Sequence, residues 1–169
     1  MRTIFKRATI VAIVLTMSVA ANAQQGEKAI GGNLIFGTGG NHSHVGIGGK
    51  FSYNLTDPIR FVGEFDFFPK KDFISWWDVS AYGNYLFLLS DKIDVYPLVG
   101  VGMTGAKVDL GKYNFSTNGF VFSLGGGLDY ELTSKLLLSI ELRYKFINFK
   151  DIGVSGNRTH LVVGIAHKF

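Results

Sequence analysis

The chain lacks cysteine altogether, has only 3 prolines among its 169 residues, and has a low content of charged residues, 18%. The absence of cysteine excludes disulfide scaffolds, thiol nucleophiles, zinc ribbons and cysteine-ligated iron–sulfur clusters. Few charges combined with 47% hydrophobic residues argue against intrinsic disorder, because such a chain has ample apolar surface to bury. The residues in excess are glycine, with 22, and the aromatics, with 15 Phe, 7 Tyr and 2 Trp.

The N-terminus has the three parts of a secretory signal peptide. Arg2, Lys6 and Arg7 precede an uncharged apolar stretch of 14 residues, which ends in the small-residue pattern Ala21-Asn22-Ala23. A helix of this length spans about 21 Å at ~1.5 Å per residue, which is too short for a membrane anchor across ~30 Å of hydrocarbon. We therefore predict a signal peptide over residues 1–23 and one exported domain over residues 24–169.

Cleavage after Ala23 would change the charge balance of the protein. It removes three positive charges and no negative one, so the net charge falls from +4 to +1. A nearly neutral mature chain gives no electrostatic reason to bind nucleic acid, and we predict no such partner. No later stretch approaches about 18 consecutive apolar residues, so the sequence predicts no transmembrane helix either.

The mature chain alternates with a period of two residues over long segments. In 59–68, 120–131 and 136–147, apolar residues occupy one set of alternate positions, while charged and small residues occupy the other. Such alternation is typical of β-strands. Strands of this length exceed the usual five or six residues and match the ~9–11 that are needed to cross a bilayer at a tilt.

The same periodicity, read along the whole chain, predicts eight strands. They span residues 28–37, 44–54, 59–68, 75–87, 93–107, 119–132, 136–147 and 158–169. Short turns at 55–58, 88–92 and 133–135 alternate with longer loops at 38–43, 69–74, 108–118 and 148–157. This alternation is typical of outer-membrane barrels, which have short turns on one side and long loops on the other. The predicted fold is therefore all-β, an eight-stranded antiparallel up-and-down transmembrane β-barrel.

Side-chain size indicates which face of the strands points into the barrel. The charged face also has many glycines and serines, whereas the other face has most of the bulky aromatic and aliphatic residues. An eight-stranded barrel has an interior just wide enough for side chains, so the small and polar face fits inside. A soluble lipocalin-like barrel would reverse the two faces, but it would need more surface charge than 18% charged residues supply.

The inward charges fall at two levels of the predicted barrel. The outer level contains Glu64, Asp66, Asp78, Glu141, Arg143 and Lys145, and the inner level contains Arg60, Asp129, Glu131 and Lys168. Because an unpaired buried charge costs several kcal/mol, we predict two salt-bridged clusters, with Arg143 bound to Glu64 or Glu141. An ion gate would use the same charges, but simple pairing within a filled lumen is the interpretation that a narrow barrel favours.

Aromatic residues recur on the outward face near both ends of the strands. Tyr53, Tyr85, Tyr130 and Phe169 end the descending strands, and Trp77, Tyr144 and Phe146 lie near the other end. Two such rows predict the aromatic girdles of a membrane barrel. Cross-strand aromatic packing in a soluble sheet is the alternative.

Several segments resemble the small Gram-negative outer-membrane β-barrel superfamily, which includes the opacity proteins and the barrels of the outer membrane protein A and X type. The resemblance covers the whole mature chain and is clearest in the Ala-Asn-Ala-Gln cleavage site and in 96–102, 125–130 and 138–144. The last strand alternates through Leu161, Val163, Ile165, His167 and Phe169. This ending resembles the signal read by the barrel-assembly machinery, although His167 stands where the family usually has an aromatic or aliphatic residue. The resemblance implies an outer-membrane location among lipid and lipopolysaccharide.

Catalytic signals are sparse. His42-Ser43-His44 fits either metal ligation or a His/Ser pair like that of barrel lipid A deacylases, but a solvated polar loop explains it more simply. His160 faces inward near the outer rim without an evident nucleophile. We predict no catalytic, cofactor or metal site.

The predicted protein is a monomeric, non-enzymatic outer-membrane barrel. Its outer loops, above all 108–118 and 148–157, would contact lipopolysaccharide, host surfaces or other envelope proteins. A lipid-modifying enzyme of the outer membrane and a narrow small-solute channel are the alternatives.

Overall fold

The structure, a computed structural model, describes residues 25–39, 42–71, 74–109, 114–149 and 154–169. The predicted signal peptide and the tips of the four predicted outer loops lie outside these ranges. The strands are β1 (Lys28–Gly39), β2 (His42–Asn54), β3 (Ile59–Lys71), β4 (Ile74–Tyr85), β5 (Phe87–Ser90), β6 (Ile93–Asp109), β7 (Asn114–Thr133), β8 (Leu136–Phe149) and β9 (Val154–Lys168). Among these residues there is no helix long and apolar enough to cross a membrane.

Strands β4 and β5 are two parts of one barrel strand, since both pair with β6. The interruption lies in the pairing with β6, between Asn84 and Phe87. On the β3 side the ladder continues, since the backbone N–H of Leu86 donates to the carbonyl of Pro58 at 2.7 Å. All neighbouring strands are antiparallel, and β1 pairs with both β2 and β9. The sheet is thus a closed eight-stranded antiparallel barrel, which confirms the predicted fold.

The strand register sets the tilt and width of the barrel. Starting from Lys28 and following paired residues around the sheet returns to β1 at Thr38, ten residues further along the strand. At about 3.3 Å per residue and about 4.8 Å between strands, this stagger corresponds to a tilt of roughly 40°. A barrel of this size has a lumen that side chains fill.

The outer face of the sheet is apolar and the inner face is polar, which is the arrangement that a surrounding lipid bilayer requires. On β3, the outward Phe65 is 52% exposed, whereas the inward Asp66 next to it is 1% exposed. This pattern inverts that of a soluble protein, because the solvent of the outer wall is hydrocarbon. Closure of the sheet pairs the backbone groups that hydrocarbon cannot satisfy.

The strands extend further toward the outer rim than the sequence predicts. β6 and β7 remain paired up to Asp109 and Asn114, and β9 begins at Val154, inside segments that were predicted as loops. Beyond the membrane neither face of a strand needs to be apolar, so the alternation that marks a strand is lost there although the backbone pairing continues. The 20 residues of β7 rise roughly 50 Å along the barrel axis at this tilt, well beyond a ~30 Å hydrocarbon core.

Candidate functional site

The lumen is crossed at mid-height by the guanidinium of Arg143. Arg143 lies on β8 and reaches Glu64 on β3, which is the strand directly opposite in the barrel. Its Nη1 lies 2.5 Å from Glu64 Oε1, and its Nη2 donates to Oε2 at 2.9 Å. Nη2 also lies 2.6 Å from Glu141 Oε2, and the guanidinium stacks on the Tyr82 ring at 4.4 Å. Arg143 therefore binds both of the carboxylates that were predicted as alternatives.

Other charged groups surround this arginine. Lys145 Nζ lies 2.9 Å from Asp78 Oδ2 and 3.6 Å from Asp66 Oδ2, and all three side chains are buried. Lys50 Nζ lies 3.5 Å from Glu141 Oε1 and donates to Ser139 at 3.1 Å. Sequence reasoning missed Lys50, although the alternation of β2 places it on the inward face, in register with Glu64.

The inner cluster is joined to the outer one by a tyrosine. Arg60 pairs with Asp129 and donates from Nε to Asn54 at 2.9 Å. The hydroxyl of Tyr96 lies 3.0 Å from Asp129 Oδ1 and 3.1 Å from Glu141 Oε1. The two predicted clusters thus form one continuous network. Alternation places Tyr96 inward, but it does not reveal which groups the hydroxyl reaches.

The inner mouth of the barrel has a third, more exposed set of charges. Lys168 Nζ lies 2.9 Å from Glu131 Oε2 and 3.1 Å from Glu27 Oε2. A cavity here, lined by Lys168, Arg60 and Asp129 among others, has a volume of about 10 Å³. This volume accommodates about one water molecule.

The outer mouth is closed by an aromatic and histidine cluster. His44 Nε2 lies 3.1 Å from His160 Nε2, within hydrogen-bond distance, and both rings pack near Phe68. The ring of Trp76 contacts His44 edge-on at 4.9 Å, and Arg158 lies over Trp76 at 4.4 Å. A buried apolar group of Ile35, Phe68 and Val162 adjoins the cluster, and Trp76 packs against it.

The placement of His44 corrects the prediction of a solvated loop. His44 is 7% exposed and lies on β2 with its side chain in the lumen, because the inward phase of β2 continues to its outer end. Gly37 sits between the two histidines in the register, and any side chain at Gly37 would overlap the imidazole of His44. Ser43 faces the opposite side of β2, so the described residues contain no Ser–His pair here. The part of the chain that the structure describes also contains no group of three or more His, Cys, Asp or Glu side chains that could hold a metal.

The residues of the predicted girdles lie on the outer wall. Trp77, Tyr144 and Phe146 are outward and exposed toward the outer end, and the Tyr144 and Phe146 rings are 4.8 Å apart. Near the inner end, the rings of Tyr85 and Phe87 contact each other in a tilted arrangement, with 4.9 Å between their centroids. The same inner row includes Tyr53, Tyr130 and Phe169.

The predicted assembly signal lies at the closing seam of the barrel. β9 pairs with both β1 and β8, and its outward positions include Leu161, Ile165 and His167. The backbone N–H of Phe169 donates to the carbonyl of Lys28 at 2.8 Å, which ties the last residue to the first strand.

Comparison with known proteins places this architecture among membrane barrels. Residues 8–169 match the family model of the outer membrane protein beta-barrel domain. No curated protein matches the chain in sequence.

Three solved structures illustrate the likeness in fold. Neisserial surface protein A is 18% identical over 88% of this chain and 99% of its own, with a TM-score of 0.66. The N-terminal barrel domain of OprF from Pseudomonas aeruginosa is 16% identical over 88% and 100% of the two chains, with a TM-score of 0.63. Ail, the attachment invasion locus protein of Yersinia pestis, is 17% identical over 86% and 100%, with a TM-score of 0.58. At these identities, the likeness shows the fold.

Proposed function

Because the chain belongs to the outer membrane protein beta-barrel domain family, we propose that this outer-membrane protein is a non-conducting, non-enzymatic anchor for its outer hairpins. The observation that carries the proposal is the filled lumen. Arg143, Glu64 and Lys145 are each 5% exposed or less. From β8, Arg143 binds Glu64 on β3 and Lys145 binds Asp78 on β4, across the lumen. These buried ion pairs connect opposite parts of the barrel wall, which favours a structural role for the interior.

An ion could cross this lumen only by displacing its side chains. The path leads past the Arg143–Glu64 pair, and breaking a buried pair costs about 3–5 kcal/mol. The ion would also have to pass the buried apolar side chains of Ile35, Phe68 and Val162 at the outer mouth, where it would lose its hydration. Both barriers favour a closed barrel over a channel or a narrow conduit.

The outer hairpins are the parts of the molecule available for recognition. Strands β6 and β7 stay paired well above the expected membrane surface, so this part of the hairpin is a stiff support. Binding residues commonly lie on loops that a rigid scaffold positions. We propose that the outer hairpins contact lipopolysaccharide, a host surface or another envelope protein. The His44–His160 contact is packed against Phe68 and Trp76, which favours a packing role for the two histidines over a catalytic one.

Planar-bilayer recording tests the closed lumen. We expect no conductance steps from the wild-type protein, and the matched controls are Arg143→Ala, which shortens the side chain that crosses the lumen, and Lys107→Ala, which alters an exposed outer lysine. Steps in the wild type would refute the closed lumen. Steps in the Arg143→Ala variant alone would identify this side chain as the plug, whereas silence from all three proteins would end the ion-gate interpretation.

A trimmed variant tests the role of the hairpin. Replacing residues 108–115 by Asn-Gly closes the hairpin with a two-residue turn directly after the Lys107–Ser116 pair. We expect an intact barrel by heat-modifiable gel mobility, with weaker binding to lipopolysaccharide or to host cells. Undiminished binding to both would contradict a contact role for this hairpin.

Mass spectrometry of lipid A after incubation with the protein would contradict the non-enzymatic role if it showed a modified lipid.

A further inference from the structure

The outer wall has a recess at the seam that closes the barrel, where β1 lies between β2 and β9. The cavity in this recess has a volume of about 430 Å³, which is within the range of small-molecule sites. Its lining comes from four neighbouring strands, β2, β1, β9 and β8. Most of the lining residues point outward, so the recess opens toward the membrane and not toward the lumen.

The part of the recess nearer the membrane centre is an apolar row. Phe36 on β1 is paired directly with Val45 on β2 and with Leu161 on β9. Leu161 is paired in turn with Leu142 on β8. All four side chains point outward and are between 43% and 58% exposed. Because directly paired residues have adjacent side chains, the row is one continuous apolar surface across the four strands.

A row of hydroxyl groups lies two residues closer to the outer ends of the same strands. Thr38 on β1 is paired directly with Ser43 on β2 and with Thr159 on β9, and all three residues line the cavity. Thr159 is also paired with Tyr144 of the outer aromatic girdle. Such girdles lie at the headgroup level. The hydroxyl row is therefore at the boundary between headgroups and acyl chains, and the apolar row faces the acyl chains.

The chemistry of the lining indicates which part of a lipid it fits. Among the described residues, no Lys, Arg, Asp or Glu lines the cavity. Its outward polar groups are hydroxyls, which donate hydrogen bonds to carbonyl oxygens and accept them from other hydroxyls. In a lipid, ester and amide carbonyls occur where the acyl chains join the head. The recess therefore fits this linkage region better than it fits a phosphate.

The width of the recess indicates how many acyl chains it accommodates. Neighbouring strands are about 4.8 Å apart, so an apolar row across four strands extends over roughly 14 Å. An acyl chain is about as wide as one strand spacing, so about three chains can lie side by side on the row. A phospholipid with two chains would cover only part of it, whereas a lipid with more chains on one head would cover it fully.

We propose that the recess binds the lipid A part of lipopolysaccharide, whose several acyl chains join one sugar head through ester and amide linkages. The chains lie along the apolar row, and the linkage carbonyls accept hydrogen bonds from Thr38 and Thr159. The proposal rests on the outer-membrane role proposed above, but it assigns a lipopolysaccharide contact to the barrel wall and not to the outer hairpins.

Native mass spectrometry measures this binding as lipid adducts on the protein folded in a non-ionic detergent. The protein is titrated with hexa-acylated lipid A and with dioleoyl phosphatidylglycerol, which is also negatively charged but has only two chains. We expect one lipid A to bind saturably to each barrel. Its affinity should exceed that of phosphatidylglycerol by about tenfold or more, because the additional chains bury more apolar surface.

A pair of double variants tests the hydroxyl row. Thr38→Val with Thr159→Val removes two hydroxyls and keeps the shape of both side chains, so it should weaken lipid A binding by about tenfold. Ser75→Ala with Ser116→Ala is the control. It removes two outward hydroxyls near the outer end of β4 and β7, on the opposite side of the barrel, and should leave the affinity unchanged.

A second pair of variants tests the apolar row. Leu161→Trp fills the recess with an indole ring and should weaken lipid A binding by about tenfold, since the chains lose contact area. Val79→Trp adds the same ring at an outward position of β4, across the barrel from β9, and should not change the affinity. Heat-modifiable mobility verifies that each variant is folded, and either pair of variants is sufficient if the other does not fold.

Several results would overturn the proposal. These are equal affinity for lipid A and phosphatidylglycerol, or equal affinity for lipid A within each pair of variants. A lipid-free dimer that Leu161→Trp dissociates would show that a second copy covers the recess.

The variant trimmed at residues 108–115 separates this proposal from the role of the hairpins. Lipid A binding that is lost on trimming but unchanged in the wall variants would refute the wall site and leave the hairpin contact intact. Binding that is lost in the wall variants but unchanged on trimming would support the wall site and contradict a lipid contact through this hairpin.

Discussion

Replacing Arg143 by methionine is the sharpest perturbation of the buried network. Methionine retains much of the length of the side chain and removes the charge, so the loss of packing is small. Arg143 provides the ion pairs to Glu64 and to one oxygen of Glu141. The variant leaves both carboxylates buried in the lumen with fewer donors.

The contacts that remain in Arg143→Met show which of the two carboxylates loses more stabilisation. Glu141 keeps Lys50 at 3.5 Å and the Tyr96 hydroxyl at 3.1 Å. Glu64 keeps the amide of Asn33 at 2.8 Å, which is a neutral donor. Removing one partner of a buried ion pair costs about 3–5 kcal/mol, and we expect a loss in this range.

Two further variants separate charge from packing. Lys168→Met breaks the ion pairs at the inner mouth, where Glu131 is 31% and Glu27 is 28% exposed, so it should cost no more than about 1 kcal/mol. Combining Arg143→Met with Glu64→Gln and Glu141→Gln also removes the two carboxylate charges that the single substitution leaves with fewer donors. The triple variant should therefore recover a large part of the lost stability.

Urea-induced unfolding in lipid vesicles, followed by tryptophan fluorescence and by gel mobility, measures these differences. Equal midpoints for the wild type and Arg143→Met, with unchanged slopes, would refute the reasoning. A triple variant less stable than the single one would likewise refute it, since it would show that the carboxylates are not the source of the cost.

Three other substitutions test separate parts of the structure. Gly37→Ala places a methyl group against the neighbouring imidazole and should lower the free energy of unfolding by about 1–3 kcal/mol. Gly83→Ala has open space around its added carbon and should be close to neutral in the same urea assay. Tyr96→Phe removes the hydroxyl that lies between two carboxylates and should lower the stability by about 1–3 kcal/mol. Tyr130→Phe on the outer wall is the control, and equal effects of the two substitutions would argue against a role for the Tyr96 hydroxyl in joining the two charge clusters. Phe169→Ala should slow assembly in cells without preventing refolding of the purified protein, and normal levels of heat-modifiable barrel in outer membranes would contradict a role in the assembly signal.

The faces of the strands could be predicted from the sequence because a period of two residues is a local property. The placement of Glu64, Asp66 and Arg143 in the lumen follows from it. The partner of each charge could not be predicted in this way, because it depends on the ten-residue stagger of the closed sheet. The strand order places β8 opposite β3. The stagger then sets which residues of the two strands meet at the same height, and no local pattern encodes it.

The ends of the strands were the hardest part to predict. Where pairing continues beyond the membrane, as at residues 116–118 of β7, polar residues occupy both faces and the alternation disappears. His44 shows the cost of relying on polarity alone, since its position in the inward phase of β2 indicated burial while its neighbours suggested a loop.

The central claim is a transmembrane barrel with a closed lumen, and cysteine accessibility tests it most directly. The chain has no cysteine, so single substitutions are unambiguous. Ser123→Cys and Ser139→Cys are nearly isosteric probes of the lumen, and Leu124→Cys and Ile140→Cys probe the outer wall next to them. In lipid vesicles, we expect none of the four to react with a charged, membrane-impermeant maleimide. Reaction at the serine positions would show an open lumen, and reaction at Leu124 and Ile140 would show that the outer wall faces water.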